Sequence, residues 1–255
     1  TAAKADIDAV KTIAQEEAEE LAAYKTEKKA ELEKYAADKG QNNYSTANWT
    51  KLQGYVTSGK TAIDGAADKA AVDSALTAAK ADIDAVKTIA QEEAEELAAY
   101  KTEKKAELEQ YAEGKGQSNY YSDNWTEIQG YVTSGKTAID EAADKAAVDS
   151  ALTAAKADID AVETRSSIVT AAKAELSAYV DKNNYYETEQ AEVEAAVTAG
   201  NGAIEAAESK TEVDNAVAEA KAAIDKIATK SEKLAEAKAA ALKAIEEAVA
   251  ALSSA

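Results

Sequence analysis

Cysteine, proline, histidine, phenylalanine and methionine are all missing from these 255 residues, and there are only 2 tryptophans. Without cysteine there is no disulfide framework. Without histidine or cysteine the usual zinc sets are excluded, and acid–base catalysis would fall to carboxylates alone. With no proline, helix formers dominate the chain. Without Phe or Met the cores must be built from Ala, Val, Ile, Leu and Tyr, which makes narrow helix–helix seams. Cations are outnumbered, 29 Lys and Arg against 48 Asp and Glu, for a net charge of −19. A polyanion repels phosphate, so neither nucleic acid nor an anionic membrane is expected as a partner. No apolar run is long enough to cross a bilayer, and no secretory leader opens the sequence, so a secreted parent would carry its targeting segments elsewhere.

What is present is helical periodicity. The 44 residues from Lys69 to Ala112 contain no glycine. Val72, Leu76, Ala79, Ile83, Val86 and Ala90 recur at steps of three and four, and the stripe resumes at Leu97, Tyr100, Leu108 and Tyr111. Taken as one helix, the stretch would run about 66 Å, too long for one side of a compact domain. It reads as the last helix of one module continuing into the first helix of the next. The expected fold is therefore all-α: tandem three-helix bundles joined by long continuous helices, a spectrin-like rod whose scattering profile would be elongated.

An internal repeat sets the modules. KADIDAV begins at Lys4, Lys80 and Lys156, 76 residues apart each time, and a looser KAAIDKI begins 65 residues further on at Lys221. Three modules follow, over residues 15–91, 92–166 and 167–231. Residues 1–14 read as the end of a preceding repeat helix, and residues 232–255 as an amphipathic helix of an incomplete repeat, which would make the stretch a cut from a longer array. In the first module, Gly40 suits a left-handed helix end, Ser45 or Thr46 caps the second helix, and Asp68 caps the third. Gly114 and Gly116 occupy the second module's turn, Asp144 is its later cap, and Ser209 with Glu212 has the form of a capping box in the third. Gly59, Gly135 and Gly200 stand inside helices at matching places, where close helix approach or a ligand pocket would explain them. The third module has Gln190 where the others have Trp49 and Trp125, so it should be the least stable. Leu234, Leu242, Ile245, Val249 and Leu252 line one face of the last segment with no helices of their own to cover them. Self-association through the terminal helices is one expectation from that face.

The strings NYSTANW at Asn43–Trp49 and NYYSDNW at Asn119–Trp125 resemble the start of FIVAR repeats, and AAVDSAL at Ala70–Leu76 with KTEVDNAV at Lys210–Val217 resembles that family's last helix. The resemblance covers the second and third helices of each module and departs at Gln190. FIVAR repeats are small three-helix modules of large exported proteins, mostly of Gram-positive bacteria. The resemblance implies an extracellular or cell wall-associated setting; it implies no single activity.

No nucleophile, phosphate-loop or metal-loop motif occurs, so the chain is expected to be neither an enzyme nor a cofactor or metal carrier. Tyrosine is the one class that invites a second reading. Tyr44, Tyr55, Tyr120, Tyr121, Tyr131, Tyr185 and Tyr186 cluster around the second helices and the loops before them, and the first five are the candidate contact surface. They either lid the bundle ends over Trp49 and Trp125 or offer a contact surface to a host protein or glycan. Two functions follow: a non-catalytic spacer or stalk of a bacterial surface protein, or an adhesin-type binding module.

Overall fold

The computed structural model describes residues 11–253; the readings placed on Thr1 to Val10 lie outside the described residues. The fold is all-α. The helices are α1 (Ile13–Asp38), α2 (Thr46–Gly65), α3 (Lys69–Asp84), α4 (Ile89–Gly114), α5 (Ser122–Glu141), α6 (Lys145–Ala161), α7 (Arg165–Tyr179), α8 (Glu187–Ala206), α9 (Lys210–Ile224) and α10 (Lys230–Ser253). Short 3₁₀ turns at Gln41–Asn43, Gln117–Asn119 and Lys182–Asn184 precede α2, α5 and α8. The chain divides into two compact units within α4, between Ala99 and Tyr100.

In the first unit α1, α2 and α3 close on one core. Leu32, Leu52, Ile63, Val72 and Ile83 are fully buried there, with Tyr44 and Val86 at its margin. Gly40 takes φ +74°, the left-handed conformation that lets the chain leave α1. Ser45 caps α2 by accepting from the Asn48 amide, and Asp68 caps α3 by accepting from Ala71. Gly59 is a close-approach position. A Cβ there would lie 2.5 Å from the Cβ of Ala79 on α3 and 2.8 Å from Leu32 on α1.

The second unit holds two such triads. Around α4, α5 and α6 the buried residues are Leu108, Ile128, Ile139, Val148 and Ile159; around α7, α8 and α9 they are Leu176, Ile204, Val213 and Ile224. Gly135 and Gly200 repeat the close approach, each 2.5 Å from the Cβ of Ala155 or Ala220 in the same construction.

The long connecting helix expected through Lys69–Ala112 is not continuous. α3 ends at Asp84 and α4 begins at Ile89. Likewise α6 ends at Ala161 before α7 opens at Arg165, and α9 ends at Ile224 before α10 opens at Lys230. The module edges expected at residues 91 and 166 thus fall inside helices, and the breaks lie at 85–88 and 162–164. The physical reason is that each break is satisfied locally. Thr88 accepts from the Gln91 amide at 3.3 Å, and the Gln91 side chain accepts from the Thr88 amide at 2.9 Å, a closed capping box. The Lys87 carbonyl, released from the helix, accepts from Asn48 Nδ2 at 2.8 Å. Val86 meanwhile stays in the core at 4% exposure. Thr12 makes the same box with Gln15, so Ile13 and Ala14 open α1 instead of ending an earlier helix. Residues Gln91 to Glu95, expected to bridge two bundles, form the first turns of α4.

Candidate functional site: the interhelix polar lattice and the joints

The charged and phenolic side chains are organised into a lattice that recurs from triad to triad. In the first, Tyr24 donates to Asp73 at 2.7 Å and Tyr35 to both oxygens of Asp84 at 2.7 and 2.8 Å, tying α1 to α3. Lys28 and Lys80 both reach Glu31, at 2.8 and 2.6 Å. Lys39 and Lys80 flank the Tyr35 ring, 4.5 and 5.0 Å from its centroid. In the second, Tyr100 donates to Asp149 at 2.6 Å, Tyr111 to Asp160 at 2.7 Å, and Lys156 to Glu107 at 2.6 Å. In the third, Tyr179 donates to Asp225 at 2.7 Å and Lys221 to Glu175 at 2.6 Å.

Electrostatics follow from these contacts. Hydrogen bonds from Lys28 and then Lys80 hold the Glu31 carboxyl down at about 2. Lys104 and Lys156 do the same for Glu107, also to about 2. Asp84 and Asp160 are lowered by Lys39 and Lys115 respectively, with the neighbouring tyrosine hydroxyl adding to each. The Tyr24 and Tyr100 hydroxyls are raised because each donates to an aspartate. Carboxylates held this firmly ionised are weak proton acceptors at neutral pH. They are suited to holding helices together.

The five tyrosines singled out from the sequence differ in burial. Tyr44 is buried at 9%, its ring 5.9 Å from that of Trp49. Tyr120 is half-buried against Trp125 at 6.1 Å. Tyr55 is half-buried with Lys51 above it at 5.9 Å, and Tyr131 is half-buried with its hydroxyl on Glu127 at 3.1 Å. Tyr121 is 2% exposed. Tyr44 and Tyr121 thus present no open ring face, because helix-end packing has taken both.

The threonine-capped joint at 85–88 is the feature that sequence reasoning missed, whereas Ser166 and Ser167 already mark a weaker helix beside the 162–164 break. Each first helix opens on a threonine cap: Thr12, Thr88, Thr164 and Thr229, whose hydroxyls accept from Gln15, Gln91, Ser167 and Glu232. Thr-x-x-Gln and Thr-x-x-Glu are readable start signals, and they went unread because the surrounding stripe continues through them. Side chains from the second-helix region then hold each joint. Asn48 reaches the Lys87 carbonyl and, at 2.9 Å, Glu92. Asn124 reaches the Glu163 carbonyl at 3.3 Å. Glu189, 7% exposed, pairs with Lys233 at the start of α10. Beside the 162–164 break, a groove of about 540 Å³ is lined by Ser118, Asn119, Arg165, Ser166, Val169 and Thr170 among others.

α10 carries Leu234, Leu242, Ile245, Val249 and Leu252 exposed by 51 to 79%. Among the described residues no helix is long and apolar enough to cross a membrane, and no group of three potential metal ligands converges. No protein-family model, no curated protein and no solved structure matches the chain.

Proposed function

We propose that this chain is a non-catalytic spacer, a stalk region of a bacterial surface or secreted protein of the kind the FIVAR resemblance implies. The observation that carries the reading is that successive helix triads are joined by short breaks whose carbonyls and caps are held by side chains. Asn48 on Lys87 and Asn124 on Glu163 occupy matching places, 76 residues apart. Within the second unit, a joint held in this way keeps the direction of the α7–α9 triad relative to the α4–α6 triad. The repeated Tyr–Asp and Lys–Glu contacts support the same reading, since they commit the polar side chains to holding helices. Such a chain sets distance, and its length is adjusted by adding or removing repeats.

The test is reach. The chain is placed between a cell-wall anchor and a terminal epitope, and residues 89–164, one 76-residue repeat, are removed. Capture of the cells by epitope-specific antibody on a bead should fall with the shortened spacer. Capture that is independent of repeat number contradicts the reading. A saturable ligand found on glycan arrays or in serum pull-downs, and lost in Tyr55→Ala or Tyr131→Ala, would replace it with the binding-module reading.

A further inference from the structure

Tyr121 belongs by chain to the second triad, where it is the residue immediately before α5. Its ring nevertheless lies in the buried cluster of the third, with Ile168, Ala172, Leu176, Ile204 and Ala207. The first residue of α7, Arg165, closes over it. The guanidinium carbon stands 5.3 Å from the ring centroid, and Nη2 donates to the Ala207 carbonyl at 3.0 Å. The matching places elsewhere differ. In the first triad they hold Ser45, a helix cap, and Ile89. In the third they hold Tyr186 and Lys230; Tyr186 remains 47% exposed although Lys230 stands 5.6 Å from its ring centroid. A tyrosine at this position is therefore not buried by its own triad. Tyr121 is buried by the one that follows.

We infer that Tyr121 and Arg165 form a docking joint through which the α4–α6 triad stabilises the α7–α9 triad. This goes beyond the spacer reading and does not depend on it. A ring carried by one triad and buried by the next makes the second depend on the first, because opening the α7–α9 triad exposes a ring that its neighbour supplies. The direction of the link is specific. The α7–α9 triad has Gln190 where Trp125 stands in its neighbour, so it is the receiver of the borrowed ring. The Tyr121 hydroxyl is buried with no hydrogen-bond partner, so the ring, and not the hydroxyl, makes the contact.

Native-state hydrogen exchange on the full chain tests this, with α5 and α6 amides as internal control. Tyr121→Ser, which installs the residue of the first triad, should speed exchange across α7–α9 by about tenfold or more and leave α5 and α6 much less affected. Tyr121→Phe should preserve or increase protection in α7–α9. Unchanged protection of α7–α9 in Tyr121→Ser would overturn the inference. So would a loss confined to α5 and α6, or a Phe variant as unprotected as the Ser variant.

Discussion

Gly59 on α2 and Ala79 on α3 face each other so closely that a Cβ on the glycine would lie 2.5 Å from the alanine's own. Gly54, one and a half turns earlier on α2, has nothing within 4 Å of the same construction. The two glycines therefore respond oppositely to one substitution. Gly54→Ala should stabilise the first triad by about 0.4–1 kcal/mol through helix propensity and a less flexible unfolded chain. Gly59→Ala should destabilise it by about 1–3 kcal/mol, because overpacking outweighs that gain. Urea melts of the two variants check both signs, and Gly130 and Gly135 offer the same contrast in the second triad.

Acid should unlock the lattice. Glu31 and Glu107 have folded-state values of about 2, below the 4.5 of an unperturbed glutamate, so the fold favours their ionised form. Their contribution is complete above about pH 4.5 and is lost as pH falls towards about 2. Both side chains are partly open to water, which screens the pairs and keeps the effect modest. Thermal melts from pH 6 to 2 should show midpoints dropping across that window, and Glu31→Gln with Glu107→Gln should flatten the drop.

Capping at the breaks is the next point of leverage. Thr88→Ala removes the hydroxyl that accepts from Gln91 and should cost about 1 kcal/mol. Asn48→Ala leaves the Lys87 carbonyl without its donor and should cost a similar amount, about 0.5–1.5 kcal/mol. Denaturant midpoints of both variants, compared with an exposed Thr50→Ala control, check this.

The elements that read correctly from the sequence are the ones fixed locally. Ser45, Asp68, Asp144 and Ser209 cap the helices they were expected to cap, and Gly40 supplies the positive φ. Gly59, Gly135 and Gly200 were legible because an otherwise costly helical glycine recurs at one place, and steric room explains it. The break at 85–88 was not legible. KTIAQ contains no strong helix breaker, and Thr and Gln are tolerated within helices. What makes Thr88 a cap is Asn48, 40 residues earlier, waiting for the Lys87 carbonyl. Which tyrosines are buried was not legible for the same reason. Tyr120-Tyr121 and Tyr185-Tyr186 are the same dipeptide, yet Tyr121 is buried and Tyr186 is exposed, because the following helix presents different side chains to each.

Spin-label distances across the 162–164 break test the held joint most directly. The chain contains no cysteine, so labels at Thr133→Cys on α5 and Thr198→Cys on α8, both exposed positions, are clean. A joint held by Tyr121, Arg165 and Asn124 predicts a single narrow distance distribution in frozen solution. A broad distribution in the otherwise unaltered chain, with the helices of both triads still intact by circular dichroism, would contradict it.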